Sequence, residues 1–273
     1  MHAVSTRQHW IETPDGQLFA QCWSPDPARG APIVLLHDSL GCVELWRDFP
    51  ERLALASGRR VIAYDRLGFG RSAAFAGLLA PGFIEGEAMG GFEAVRQHFD
   101  LNQFVVLGHS VGAGMAIGCA AAHPQRCQGV ISESAQTFVE PLTLDGIRQA
   151  ERQFAEPGQL ERLQKYHGDK ARWVLNAWIG TWLSDAFGPW NLDPQLARVR
   201  CPLLAMHGDR DEYGSTHHLE RMARGVSSPI SLHILPECGH VPHREHPQAV
   251  LSTIGEFLKG IDANLAEQGK AWE

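Results

Sequence analysis

Gly108-His109-Ser110-Val111-Gly112 follows four apolar residues, Phe104-Val105-Val106-Leu107, and precedes a run of small helix-compatible residues from Ala113 onward. A strand, a tight turn and a helix in this order hold a serine in a strained backbone conformation with its hydroxyl clear of the sheet. The two glycines fit a close crossing of strand and helix, where a side chain would collide. A serine hydroxyl is a weak nucleophile at neutral pH and needs a histidine to accept its proton. The imidazole in turn needs a carboxylate to fix its tautomer and stabilise its charged form. Ser110 is therefore the candidate nucleophile, and the chemistry it points to is attack on a carbonyl carbon.

Two later stretches can supply the partners. The run Pro202-Leu203-Leu204-Ala205-Met206-His207 ends in Gly208-Asp209-Arg210-Asp211-Glu212, and Ile230-Ser231-Leu232-His233-Ile234-Leu235 ends in Pro236-Glu237-Cys238-Gly239-His240. Both read as strand ends meeting loops, which is where open α/β sheets build their sites. His240 is the candidate base, and Asp209, Asp211 and Glu212 compete for the acid. Acyl transfer also needs preorganised donors for the oxyanion. One is the N–H of Val111, at a helix start, and the other belongs to the loop after Pro32–His37, where Ser39 and Leu40 are available. His240, His243 and His246 are spaced three apart, but Pro242 and Pro247 interrupt helical geometry and no further ligands complete a set, so no metal is expected. Cys42 near the same loop has no local base and reads as a buried thiol.

The elements that must position these groups alternate along the chain. Residues 9–23 read as two strands around the Pro14-Asp15-Gly16 turn. Continuous apolar runs at 32–37, 61–65, 104–107, 127–132, 202–207 and 230–235 read as strands buried on both faces. Helical patterns fall at 43–56, 83–98, after Ser110, at 215–224 and at 245–259, with the last dozen residues expected as a surface tail. This alternation predicts an α/β fold, a mostly parallel eight-stranded sheet with helices on both faces. Between 134 and 200 the pattern changes to helix formers without a strand, and this stretch holds Trp173, Trp178, Trp182 and Trp190, half of the chain's eight tryptophans. It reads as a helical insertion in a core domain made of residues 1–133 and 201–273.

Composition narrows the function. A net charge of −7 without a basic stripe disfavours nucleic-acid binding. Six scattered cysteines without a Cys-x-x-Cys pair read as free thiols in a reducing compartment. The first residues lack the apolar core of a secretion signal, and no window reaches the length needed to cross a bilayer. A cytoplasmic enzyme with no membrane partner is expected.

On these residues the chain resembles the α/β-hydrolase-fold enzymes, in their single-domain type with a lid, over residues 9 to 260. His37-Asp38-Ser39-Leu40-Gly41 resembles the family's His-Gly-x-x-Gly oxyanion loop, with Asp38 where the family usually has glycine. Asp65-Arg66-Leu67-Gly68-Phe69-Gly70-Arg71-Ser72 is similar to its Asp-x-x-Gly-x-Gly-x-Ser loop, and Gly108–Gly112 to its nucleophile elbow. The acid loop, His207–Asp211, and the histidine loop, Gly239-His240 with Glu245-His246-Pro247, complete the match. The resemblance implies Ser110, Asp211 and His240 as a catalytic triad, Ser39 and Val111 as oxyanion donors, and residues 134–200 as a helical cap over the pocket. It places Leu40, His109, Trp178 and Trp182 as candidate substrate contacts, with no cofactor. It implies a monomer or homodimer that hydrolyses a small carboxylic ester or lactone. Carbon–carbon hydrolysis of a ring-fission diketone by the same triad is the alternative enzyme reading, and a non-catalytic receptor for a small ligand is the alternative outside enzymes. A serine at the elbow excludes the family's dehalogenases and epoxide hydrolases, whose attack needs a carboxylate there.

Overall fold

The computed structural model describes residues 4–270. β1 (Val4–Ile11) and β2 (Leu18–Pro25) pair antiparallel across the Pro14-Asp15-Gly16 turn. β3 (Ile33–Leu36), β4 (Val61–Tyr64), β5 (Phe104–His109), β6 (Cys127–Glu133), β7 (Leu203–Gly208) and β8 (Ile230–Leu235) run parallel. Together they form one eight-stranded sheet in the order β1-β2-β4-β3-β5-β6-β7-β8, with β2 antiparallel to β4. Every residue of β3, β4, β5 and β7 is buried, as their unbroken apolar runs require.

Alternation along these strands divides the core in two. Ile33, Leu35, Val61, Ala63, Val105 and Leu107 face α1 (Phe49–Ser57), while Val34, Leu36, Ile62, Tyr64 and Val106 belong to the cluster on the opposite face. That second face is covered by Phe92 and Val95 of α3 (Gly91–His98), which follows the short α2 (Phe83–Gly86), and by Met115 and Ile117 of α4 (Val111–Ala122). After β6 come α5 (Pro141–Phe154), α6 (Gln159–His167), α7 (Ala171–Trp182) and α8 (Asp193–Leu196). After β7 comes α9 (His217–Gly225), and β8 leads into α10 (Pro242–Glu245) and α11 (Pro247–Lys270). The fold is thus the expected α/β architecture, and helices bury both faces of the sheet. No helix among the described residues is long and apolar enough to cross a membrane.

Three helical boundaries differ from the sequence reading. The expected helix at 83–98 is broken at Gly90, whose φ −104° and ψ −109° no helix accommodates. The one at 43–56 is a 3₁₀ turn over Val43–Trp46 followed by α1, because Arg47 between them takes φ 55°. The expected C-terminal tail is instead the end of α11, which reaches Lys270. Val250, Ile254, Leu258 and Ile261 repeat at helical spacing and bury against the sheet, so the helix is anchored beyond 259 before the exposed residues 262–267. Residues 271–273 lie outside the described residues.

The sheet brings three loops to its carboxyl edge, and Asp65 at the end of β4 ties two of them together. Its Oδ1 accepts from the Val43 amide at 2.6 Å and its Oδ2 from the Arg71 amide at 2.7 Å. Burial raises its pKa to about 6, against the pull of the Arg71 and Val43 amides. In Asp65→Ala both amides lose their acceptor, and urea denaturation is expected to show a loss of about 2–3 kcal/mol.

Candidate active site

Ser110 sits between β5 and α4 with φ 56° and ψ −125°, a region in which a non-glycine residue persists only when its surroundings hold it there. Its amide donates to Glu133 O at 2.8 Å and its carbonyl accepts from the Ala113 amide at 2.9 Å. The reason for the two elbow glycines is visible in their neighbours. A Cβ on Gly108 would strike the backbone of Gly112, and one on Gly112 would strike the carbonyls of Leu36 and His37 in β3 and its loop. Ser110 is 7% exposed, and its hydroxyl donates to Gln136 Oε1 at 3.5 Å. Gln136, just past the end of β6, escaped the sequence reading because a lone glutamine after a strand carries no pattern of its own.

Of the three competing carboxylates, the structure brings Asp211 to His240. His240 Nδ1 lies 2.9 Å from both Asp211 oxygens. A carboxylate on Nδ1 places the proton there and leaves Nε2 as the lone pair able to accept another. Asp211 also accepts from the Tyr213 amide at 2.8 Å, and His207 Nε2 stands 3.5 Å from its other oxygen. Asp209 is exposed and accepts instead from the Cys238 amide at 3.3 Å. Glu212 reaches the cavity wall but not the imidazole among the described hydrogen bonds.

Burial drives the His240 pKa down, but the Asp211 hydrogen bond and the charges of Asp211, Glu212 and Asp38 outweigh it, so the pKa lies above its ordinary value of 6.5. Burial likewise opposes the charge on Asp211, and its hydrogen bond to His240 and the charges of His240 and His207 hold its pKa below the usual carboxylate value. A base must be unprotonated to act, so the acid limb of kcat/KM against pH is expected above 6.5. Removing a negative charge favours the neutral imidazole, so Asp38→Asn is expected to move that limb to lower pH. A pH–rate profile of both proteins checks it.

Two further pairs surround this one. His243 Nδ1 lies 2.6 Å from Glu133 Oε2, both groups buried. His109 Nε2 lies 2.8 Å from the His240 carbonyl. A carbonyl only accepts, so Nε2 of His109 carries the proton and its Nδ1 faces Asp38 Oδ1 at 4.0 Å. Burial, helped by the charges of His240 and His243, lowers the His109 pKa to about 4, so it is neutral at pH 7. Burial opposes the charge on Asp38, but the neighbouring His109, His37, His240 and Arg244 together draw its pKa below the usual carboxylate value. The Glu133–His243 pair was not legible in the sequence, since its members lie 110 positions apart. Cys42 is a buried free thiol whose pKa burial and the Asp65 charge raise to about 12. Among the described residues no group of three or more His, Cys, Asp or Glu could hold a metal ion.

Ser39, Leu40, Ser110, Trp178, Trp182 and His240 share the wall of one cavity of about 190 Å³, and His109 and Asp38 line it too. Val111 opens α4, so its N–H is among the donors that a helix leaves without an internal partner. The four tryptophans divide. Trp178 and Trp182 reach the cavity, Trp182 also packing edge-on against Phe187 and Trp190, with ring centroids at 5.0 and 5.7 Å. Trp173 packs on Phe69 at 5.5 Å, and Trp190 stacks on Phe187 at 5.1 Å. The segment carrying them is fastened to the loops at the sheet's carboxyl edge. His167 Nδ1 accepts from the Gly70 amide at 2.8 Å and Nε2 donates to Leu40 O at 3.0 Å. Lys170 Nζ donates to Gly70 O and Ser72 O, each at 2.7 Å, and Thr143 Oγ1 to Tyr213 O at 2.7 Å.

Residues 33–253 match the model of a family described as the alpha/beta hydrolase family. The chain is 26% identical over 264 residues to 2-hydroxymuconate semialdehyde hydrolase of Pseudomonas sp. (strain CF600), covering 87% of this chain and 90% of that one. It is 24% identical to proline iminopeptidase of Heyndrickxia coagulans, over 85% of this chain and 92% of the relative. Among solved structures, a bacterial membrane phospholipase A superposes with TM-score 0.77 at 19% identity, over 94% of this chain and 87% of the other. A thermophilic esterase from Thermogutta terrifontis superposes with TM-score 0.71 at 20% identity, over 93% and 99% of the two chains.

Proposed function

The chain belongs to the alpha/beta hydrolase family, and from that starting point we propose that it is a serine hydrolase cleaving a small carboxylic ester or lactone through an acyl-enzyme on Ser110. The observation that carries this reading is the approach of both Asp211 oxygens to His240 Nδ1 at 2.9 Å, beside Ser110 in one cavity. When substrate enters, the Ser110 hydroxyl leaves Gln136 and turns to His240 Nε2. As Oγ attacks the carbonyl carbon, its proton passes to Nε2, and the charge on the imidazolium is met by Asp211. The carbonyl oxygen becomes an oxyanion held by the Val111 and Ser39 amides. Collapse of this intermediate expels the alcohol, which takes the proton from His240. Water then gives a proton to Nε2, attacks the acyl carbon and frees the acid, with Ser110 reprotonated by His240.

In this reading residues 134–200 form a helical cap over the cavity, and Leu40, His109, Trp178 and Trp182 line it as substrate contacts. The enzyme works without a cofactor, as a cytoplasmic monomer or homodimer with no nucleic-acid or membrane partner. The likeness to a 2-hydroxymuconate semialdehyde hydrolase over most of both chains supports a second reading, carbon–carbon hydrolysis of a ring-fission diketone by the same residues. A panel of p-nitrophenyl esters, lactones and ring-fission diketones separates the two. Esters or lactones are expected to turn over fastest, and turnover of the diketones alone would replace the first reading with the second.

A further inference from the structure

A second cavity of about 260 Å³ adjoins the one that holds Ser110, and Asp38, Leu40, His109 and Val241 line both. Its far wall is one face of α6, where Gln159, Arg162 and Tyr166 recur at helical spacing. Arg244 of α10 stands among its lining residues and is held by its own bond to Leu45 O at 2.6 Å. Among the described residues neither guanidinium has a carboxylate within ion-pair distance. Burial leaves His37 and His109 neutral, and His243 is paired with Glu133, so the unpaired charged side chains lining this lobe are Arg162, Arg244 and, at the neck, Asp38. The wall of the Ser110 lobe carries the carboxylates of Asp38 and Glu212 and the His240 imidazole, but no guanidinium. A carboxylate therefore finds guanidinium partners in the outer lobe that the inner one lacks.

We propose that the outer lobe is a carboxylate subsite, in which Arg162 and Arg244 hold the acidic far end of a substrate whose scissile carbonyl lies at Ser110. Only the placement of the scissile carbonyl at Ser110 rests on the hydrolase reading. Guanidinium and carboxylate meet in paired, charge-assisted hydrogen bonds, and the Tyr166 hydroxyl and Gln159 amide add donors beside them. Such a substrate enters one way round, because the reverse pose would put its carboxylate beside Glu212 with no guanidinium on the wall.

Calorimetric titration with hexanoate and with 1-hexanol tests the subsite without needing turnover. The full chain is expected to bind hexanoate with a Kd lower than that of 1-hexanol by about tenfold or more. Arg162→Gln and Arg244→Gln are each expected to weaken hexanoate by about tenfold, and Arg162→Lys, which keeps the charge, by only about threefold. Hexanoate bound no tighter than 1-hexanol, or equally by wild type and both glutamine variants, overturns the subsite. Reaction of Ser110 with a fluorophosphonate, measured on the same proteins, separates the two ideas. Arginine-dependent hexanoate binding without Ser110 labelling keeps the subsite and removes the hydrolase reading. Ser110 labelling with arginine-independent binding does the reverse.

Discussion

Ser110→Ala is expected to lose about 10⁶-fold in kcat on any ester the protein hydrolyses, while its folded structure and unfolding midpoint stay near those of wild type. The size follows from the mechanism, since without Oγ there is no acyl-enzyme and water must attack unaided by a covalent step. Alanine tolerates φ 56° no worse than serine, and the hydroxyl's single bond, 3.5 Å to Gln136, is too long to contribute much to stability. Steady-state kinetics together with circular dichroism melting checks both halves. A residual rate within tenfold of wild type would assign the nucleophile elsewhere.

The second large effect is expected at Asp211. Asp211→Asn is expected to cost about 10⁴-fold in kcat, because an amide turned to satisfy the Tyr213 N–H presents its NH₂ to His240 Nδ1 and stabilises the tautomer protonated on Nε2. That tautomer cannot accept the Ser110 proton. Asp209→Asn is expected to change kcat by less than about threefold, because its oxygen can still accept from the Cys238 amide and nothing in the reaction touches it. Glu212→Gln falls between them, since Glu212 acts on His240 only through its charge. The opposite ranking of Asp209 and Asp211 would mean that the imidazole is oriented differently during catalysis.

Much of this architecture was legible because local chemistry and tertiary structure agree. Unbroken apolar runs such as Val61–Tyr64 are the strands buried on both faces, and Pro14-Asp15-Gly16 is the turn between β1 and β2. Gly108 and Gly112 announced a close backbone crossing, and each in fact faces another backbone. Asp211 and His240 were readable as strand-end residues, although the sequence alone left Asp209 and Glu212 in contention. What escaped was whatever depends on partners distant in sequence. Gln136 meets Ser110 only because β5 and β6 lie side by side, and Glu133 meets His243 only because β6 and α10 converge. The break at Gly90 and the reversal at Arg47 were hidden because the apolar spacing on either side is helical, and periodicity does not report a change of direction within it. The extension of α11 was hidden by the polar residues after Ile261, which suit an exposed helix as well as a tail.

In the proposed mechanism Ser110 is a nucleophile activated by the His240–Asp211 pair. Its most direct test is the reaction of the folded protein with a fluorophosphonate, read by mass spectrometry of the labelled peptide. One adduct per chain is expected, on Ser110, formed much more slowly in His240→Ala and absent in Ser110→Ala. Folded wild-type protein that takes no label, or that takes it on another residue, would contradict it.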